Sequence, residues 1–454
     1  MDDASHVPGP GSLGKDGKRL RPYPADVTGR FTRARRVVYA TLIVLWAALP
    51  WIPVGGHPAV FLDIETRQFF LFGLATNAQD LWLLFFAVSG FGFGLLVLTA
   101  LLGRVWCGWA CPQTVFVEGL FRPLERLVNG PRNIALRRQA RPFGLERLWR
   151  LVATHALYLL AALLVAHMFI AYFVSLPGLL AMVRGQPSAH VEAFVWMLAT
   201  TALFYVAFGL FREQFCVVMC PYGRLQSVLL DDDALIVGYD ERRGEPRGKR
   251  DTRAGDCVDC NRCVVVCPTG IDIRDGLQLD CIACTACIDA CDEVMVKLGR
   301  SKGLVRYDSQ RGFRGEKSRI LRPRIWGYGV LLVVGIAVAA FSFARREPFE
   351  ANALRLPGSP YTLDGDVLRN GFELHVVNKA STGSTFTIAP VPVGSLTFVV
   401  PIPVVELGPL ESRRIPFFVT MPAASFIGPQ RFDVRVGDGR YRRTVTVTFL
   451  GARR

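Results

Sequence analysis

The chain is 454 residues long, 51% hydrophobic and 20% charged, with twelve cysteines and a formal charge of +15. That apolar fraction excludes a disordered chain, and its grouping into blocks of about 20 residues excludes a uniformly soluble one. At roughly 150 residues per domain the length allows about three units.

In chain order, residues 1–36 form a polar and basic arm, longer than a signal-peptide n-region and without a small-residue cleavage site. Five stretches then read as transmembrane helices: Val37–Val54, Leu81–Leu102, Leu151–Val174, Val191–Phe211 and Ile325–Ala344. Each is long enough to satisfy its backbone internally in lipid, and no alternating ten-residue pattern suggests a barrel. Basic residues set the sides. Lys15, Lys18, Arg19, Arg21, Arg30, Arg33, Arg35 and Arg36 precede the first span, and residues 103–150 carry nine arginines. The loop 54–80 has only Arg67, and the loop after the third span only Arg184. The N-terminus is therefore expected in the cytoplasm and the C-terminal region outside. The same alternation accounts for most of the positive charge, so no nucleic-acid partner is expected.

All twelve cysteines lie between Cys107 and Cys291. Cys107-Gly-Trp-Ala-Cys111-Pro112 follows the second span, and Cys216-Val-Val-Met-Cys220-Pro221 follows the fourth. Residues four apart share a helix face at a Cβ separation of about 5–6 Å, wider than a disulfide needs. Each helix should end near the residue before its proline. Four thiols at one depth suit a soft metal such as Cu(I), zinc or iron–sulfur; the other reading is that they pack as small apolar side chains.

The densest signal is Cys257-x-x-Cys260-x-x-Cys263-x-x-x-Cys267-Pro268, followed by Cys281-x-x-Cys284-x-x-Cys287-x-x-x-Cys291. In a two-cluster ferredoxin three thiolates of one run grip a cluster and the fourth crosses to the other. The spacing assigns Cys257, Cys260, Cys263 and Cys291 to one [4Fe–4S] cluster, and Cys281, Cys284, Cys287 and Cys267 to the second. Zinc needs only four ligands, and a reducing cytosol disfavours disulfides. Asp292 stands where the bacterial run usually has proline.

After about Glu350, period-two stretches at Gly371–Lys379, Ser384–Thr387, Ser395–Val400, Arg414–Thr420, Arg431–Gly437 and Arg442–Phe449 alternate with Gly and Pro turns. They predict an antiparallel, immunoglobulin-type sandwich serving docking or folding, with His375 a packing residue. His155 and His167 share a face of the third span, where a haem would need partners elsewhere; His57 and His190 lie in outer loops.

Together these features resemble the membrane ferredoxin-like family called FixG, RdxA or CcoG. The resemblance rests on Gly56-His57-Pro58-Ala59-Val60, Trp106-Cys107-Gly108-Trp109-Ala110-Cys111-Pro112-Gln113-Thr114, Glu213-Gln214-Phe215-Cys216 and Cys220-Pro221-Tyr222-Gly223-Arg224. It rests most of all on Cys267-Pro268-Thr269-Gly270-Ile271-Asp272-Ile273-Arg274 and on Cys284 through Asp292, where the aspartate agrees with the family. The resemblance implies a part in assembling cbb-type cytochrome c oxidase, with copper supply and reduction of Cu(II) to Cu(I); soft-ligand chemistry then places the copper near Cys107, Cys111, Cys216 and Cys220. It implies oxidase subunits or copper-handling proteins as partners, a cytosolic electron donor, and residence in the bacterial cytoplasmic membrane with a periplasmic sandwich. The Cys-x-x-x-Cys-Pro pairs also resemble membrane subunits of nitrate and nitrous-oxide respiration. Two other readings are therefore kept, a non-catalytic assembly scaffold and a quinol-linked conduit to a periplasmic reductase.

The expected fold is a multi-domain membrane protein with an α-helical bundle of about five spans, an inserted α+β two-cluster ferredoxin-like domain and a C-terminal all-β sandwich. The expected boundaries are 1–36 for the arm, 37–225 for four spans, 226–324 for the ferredoxin-like domain, 325–345 for the fifth span and 346–454 for the sandwich.

Overall fold

A computed structural model describes residues 22–64, 67–77, 80–248, 255–380 and 382–452. The arm residues Lys15, Lys18, Arg19 and Arg21 lie outside them. The chain divides into two compact units, one made of residues 1–52 and 87–336, the other of 53–86 and 337–454.

Four helices of the described residues are long and apolar enough to cross a membrane: Leu84–Leu102, Leu145–Ile170, Val191–Phe211 and Pro323–Ala344. The third predicted span starts six residues early, because Leu145–Arg150 already continues the helix. It ends at Ile170 because Ser175 caps a new helix, its hydroxyl accepting from the Gly178 amide at 3.4 Å. The first predicted span is helical over Arg30–Ala48 and then tightens into a 3₁₀ turn, Leu49–Trp51, containing Pro50. Its first two turns carry Arg30, Arg33, Arg35 and Arg36, so the apolar part is shorter than in the other four.

In the first unit the helix Ala286–Lys297 packs beside the short helix Arg262–Val265 and the strand pair Ile236–Tyr239 and Val305–Asp308. Ile288, Met295, Leu304 and Val305 form the centre of this small α+β module. The module also seats the start of the first helix. The Asp289 carboxylate accepts from the Thr32 amide and hydroxyl, both at 2.7 Å, and from the Phe31 amide at 3.3 Å. An acidic side chain there satisfies orphan N–H groups and meets the positive end of the helix.

The second unit holds two antiparallel sheets. One runs Thr397–Val399, Ser412–Pro422, Val367–Asn378, Phe349–Arg355, with Thr362–Asp364 also paired to Val367–Asn378; the other runs Val404–Leu407, Ser384–Pro390, Gln430–Gly437, Arg442–Phe449. Alternate side chains point inward, so Phe372, Phe386, Phe417, Phe432 and Phe449 fill the space between the sheets. Each predicted strand is present. Phe349–Arg355, Thr362–Asp364 and Val404–Leu407 were not expected. The loop after the first helix belongs to this unit as well. Its meander, Val60–Asp63, Gln68–Leu71 and Leu74–Asn77, packs Phe61, Phe70 and Ala75 against Leu410. Buried Asp80 meets Arg346 at 2.6 Å and Lys379 at 3.1 Å.

Candidate metal centres

The two long cysteine runs fold alike. In the first, Asp259 and Asn261 flank Cys260 with positive φ; in the second, Ala283 and Thr285 flank Cys284 in the same way. Four non-glycine residues in the left-handed region at equivalent positions cost energy that the surrounding structure must repay. The gain is a concave backbone turn of the kind that aims N–H groups at an anion. Arg274 secures the first turn, binding Asp259 at 2.6 Å, Asn261 at 2.5 Å and Asp272 at 2.5 Å.

Each turn borders its own apolar cavity. Cys257, Cys260, Cys263 and Cys291 line one, with Tyr239, Met295, Leu304 and Val305. Cys267, Cys281, Cys284 and Cys287 line the other, with Ile271, Ile273 and Ile282. Cys263 borders both, so the cavities adjoin. Each set of four takes three thiols from one run and its fourth from the other. Burial pushes Cys263, Cys281 and Cys291 up to about 12 and Cys267 to about 11. Among the described residues no three His, Cys, Asp or Glu side chains converge tightly enough for a single metal ion. Thiols ringing an apolar chamber, with Cys260 the exposed member, fit a compact anionic iron–sulfide cluster better than one zinc ion. Asp292 accepts from the Gly303 amide at 2.9 Å, closing the turn after its helix.

The near-membrane cysteines come together in the same unit. Helix Val105–Trp109 ends before Cys111, which is extended, and Pro112 opens the next helix; Cys220 and Pro221 repeat the arrangement. The prolines thus sit at first helical positions, where a missing N–H costs nothing. Cys216 lies in a π-helical turn, Phe215–Met219. Its thiol is pushed above the ordinary range by burial and then by neighbouring Cys111, Cys107 and Cys220. Cys107 rises to about 11 by burial, then by Cys111, and its sulfur lies 3.4 Å from Gln226 Oε1.

Buried ion pairs hold this layer. Arg122 binds Glu118 at 2.7 Å and also Glu213; Arg212 binds Glu125 at 2.8 Å and also the Tyr158 hydroxyl. Gln113, two residues after Cys111, donates to the carbonyls of Ala207 at 2.8 Å and Arg212 at 3.0 Å. The segments carrying the two cysteine pairs are therefore tied to each other. Charges beside a span read in sequence only as topology signals, and this pairing was missed.

The link from thiols to cavities is also direct. A Cβ on Gly108 would lie 2.5 Å from the Ile282 carbonyl oxygen and 2.7 Å from that of Ala283, both between Cys281 and Cys284. Arg104 donates to the carbonyls of Leu279 and Cys281, and the Tyr39 hydroxyl holds the Gly108 carbonyl at 2.5 Å. Cys107, Ile282 and Cys284 share one apolar cluster. A glycine between two tryptophans was the signal available in sequence. Elsewhere, His155 meets the Tyr205 hydroxyl at 2.8 Å, and His167 meets the Leu163 carbonyl of its own helix at 2.8 Å.

A 4Fe-4S dicluster domain matches residues 211–310, and a 4Fe-4S binding domain matches 83–131 and 190–231. Residues 339–452 match the IG-like fold at the C-terminus of FixG. Nitrogen fixation protein FixG of Rhizobium meliloti is 34% identical over 421 residues, 82% of this chain and 79% of that protein. The chain belongs to the FixG/RdxA family. Protein RdxA of Cereibacter sphaeroides is 34% identical over 390 residues, and Protein RdxB of the same organism 35% over 399, each alignment covering more than four fifths of both chains. With four long apolar helices among its described residues, this FixG/RdxA member is a membrane iron–sulfur electron-transfer protein.

Proposed function

We propose that the protein passes electrons from a cytosolic donor to copper, reducing Cu(II) to Cu(I) for assembly of a cbb-type cytochrome c oxidase. Cys257, Cys260, Cys263 and Cys291 hold one [4Fe–4S] cluster, and Cys281, Cys284, Cys287 and Cys267 hold the other. When bound, each cluster supplies a one-electron couple. The apolar cavity walls shield the buried and half-buried thiolates, Cys260 being the exposed one, and the left-handed turns present N–H groups to their charge.

The observation that carries this reading is the seat of Gly108 on the Cys281–Cys284 loop. It makes the cavity of Cys267, Cys281, Cys284 and Cys287 the one next to the near-membrane thiols, and leaves the cavity of Cys257 as the entry side. Copper is the substrate. Cu(II) gains one electron, no proton is required, and the soft sulfurs of Cys107, Cys111, Cys216 and Cys220 favour the Cu(I) formed. Two contacts support the proposed sidedness. Residues expected inside meet where Asp289 caps the first helix, and residues expected outside meet where Asp80 binds Arg346 and Lys379.

Anaerobically purified protein should carry about eight irons per chain and reduce Cu(II). Replacing Cys216 and Cys220 by serine should abolish that reduction and spare the cluster absorbance; undiminished turnover rejects the route. A second reading has its own observation, because the 4Fe-4S binding domain match spans both Cys-x-x-x-Cys-Pro motifs. There the four near-membrane thiols would hold a third cluster. About twelve irons per chain, falling to about eight in the same double variant, decides for it.

A further inference from the structure

A cavity of about 520 Å³ lies between the helices Arg122–Asn129, Arg132–Gln139 and Leu145–Ile170, away from every cysteine. Arg138, Arg141, Arg147 and Arg150 line it. Two carboxylates are within reach. Glu125 is committed to Arg212. Glu146 alone faces the others, 3.6 Å from Arg138, 3.6 Å from Arg141 and 3.2 Å from Arg150. Among the described residues, four arginines line the cavity against this one uncommitted carboxylate, an excess of three positive charges.

Backbone carbonyls fix three of these arginines in place. Arg138 donates to the Asn129 carbonyl at 2.9 Å, Arg150 to that of Val128, and Arg147 to that of Arg141 at 3.4 Å. Like charges kept at close quarters in a preformed chamber call for an anion. The place selects which anion. Along the cavity, Leu145–Ile170, a helix long enough to cross a bilayer, passes from the charged Glu146, Arg147 and Arg150 to the apolar Leu151. Trp149, stacked under Arg150 at 4.6 Å, sits at that transition, the depth favoured by interfacial aromatics. Leu145 and Leu151 border the cavity, and Val152, Leu159 and Leu160 continue an exposed apolar surface along the helix.

We propose that this cavity binds the phosphate of an anionic phospholipid, with its acyl chains lying along Leu151, Val152 and Leu159. Basic pockets between helices at a membrane face recognise such headgroups. The reading requires only that Leu145–Ile170 spans the bilayer; it is independent of copper and of the clusters.

The test uses the full chain with its clusters, in nanodiscs of phosphatidylcholine doped with phosphatidylglycerol, counting retained phosphatidylglycerol by mass spectrometry. Arg141→Gln together with Arg147→Gln should weaken retention about thirtyfold, at the usual worth of two interfacial arginines. Glu146→Gln, which removes the acid facing Arg138, Arg141 and Arg150, should strengthen it about fivefold. A merely structural role would not give opposite signs. Cluster absorbance should be unchanged in both variants. Retention equal to the parent in the double variant, or weakened by Glu146→Gln, overturns the proposal. So does displacement of the lipid by inorganic phosphate, which would make the ligand a free anion.

Discussion

The two modules that flank the last apolar helix solve the problem of a small core in opposite ways. The sandwich buries a continuous set of large side chains, with five phenylalanines among its fully covered residues. The ferredoxin module buries a smaller set of ten, and three of those are Cys257, Cys263 and Ala283 rather than large hydrophobes. At about 25 cal/mol per Å² of apolar surface, small residues contribute little. Its four left-handed turn residues add strain. In a fold of that kind cofactor binding contributes to folding. The sandwich closes around its own phenylalanines.

The contrast is broken most severely by removing a thiol. Cys284→Ser, on the second cavity, should cost one cluster, about half the iron, and expose the Ile236–Val305 region to protease. Strand amides of the sandwich should keep their hydrogen-exchange protection. Simultaneous loss in both modules would mean that the sandwich does not stand on its own core.

The reciprocal experiment is Phe417→Ala. Phe417 is buried and stacks on Phe372 at 5.3 Å, so its truncation should destabilise the sandwich by about 3–5 kcal/mol. Exchange protection over Val367–Asn378 should fall while cluster absorbance holds. A fall in cluster absorbance would contradict the division of labour.

A smaller, more local effect is expected at Gly108→Ala. The added methyl meets the Ile282 and Ala283 carbonyls, so the near-membrane turn must lift from the loop. The cluster spectrum should survive, and Cu(II) reduction should slow about tenfold or more, the sensitivity expected of a positioning contact. An unchanged rate would remove this contact from the path.

What could be seen in sequence and what could not follows the range of the interactions. Thiol spacing, apolar blocks and strand alternation are local, and the stretch Arg442–Phe449 coincides with its strand. Phe349–Arg355 was missed because its alternation is weak: Glu350, Asn352 and Arg355 share it with Phe349, Leu354 and two alanines of low contrast. Its strand character comes from pairing with Val367–Asn378, seven residues in register. The same holds at the site. Which thiols share a cavity follows from a known spacing. That Asp289 caps a helix some 257 positions away, or that Gly108 rests on Ala283, follows only from the assembled chain.

The slightest effect sharpens the contrast from the sandwich side. His375 lies opposite Arg414 on one neighbouring strand and Asn352 on the other. Burial, then Arg414, holds its imidazole below the usual value, against weaker pulls from Glu373 and Glu350. The unfolded chain therefore takes up the proton first as pH falls through about 6.5. Stability contributed by neutral His375 is present above that pH and is lost toward the depressed folded value, below which the slope ends. Exchange protection over Val367–Asn378, corrected for intrinsic rates, should decline modestly between about pH 7 and 5, and His375→Gln should flatten the decline. A slope that survives the substitution would place the titrating group elsewhere in the sandwich, for instance at Glu350 on the neighbouring strand, whose carboxyl is shifted by burial and by Lys379.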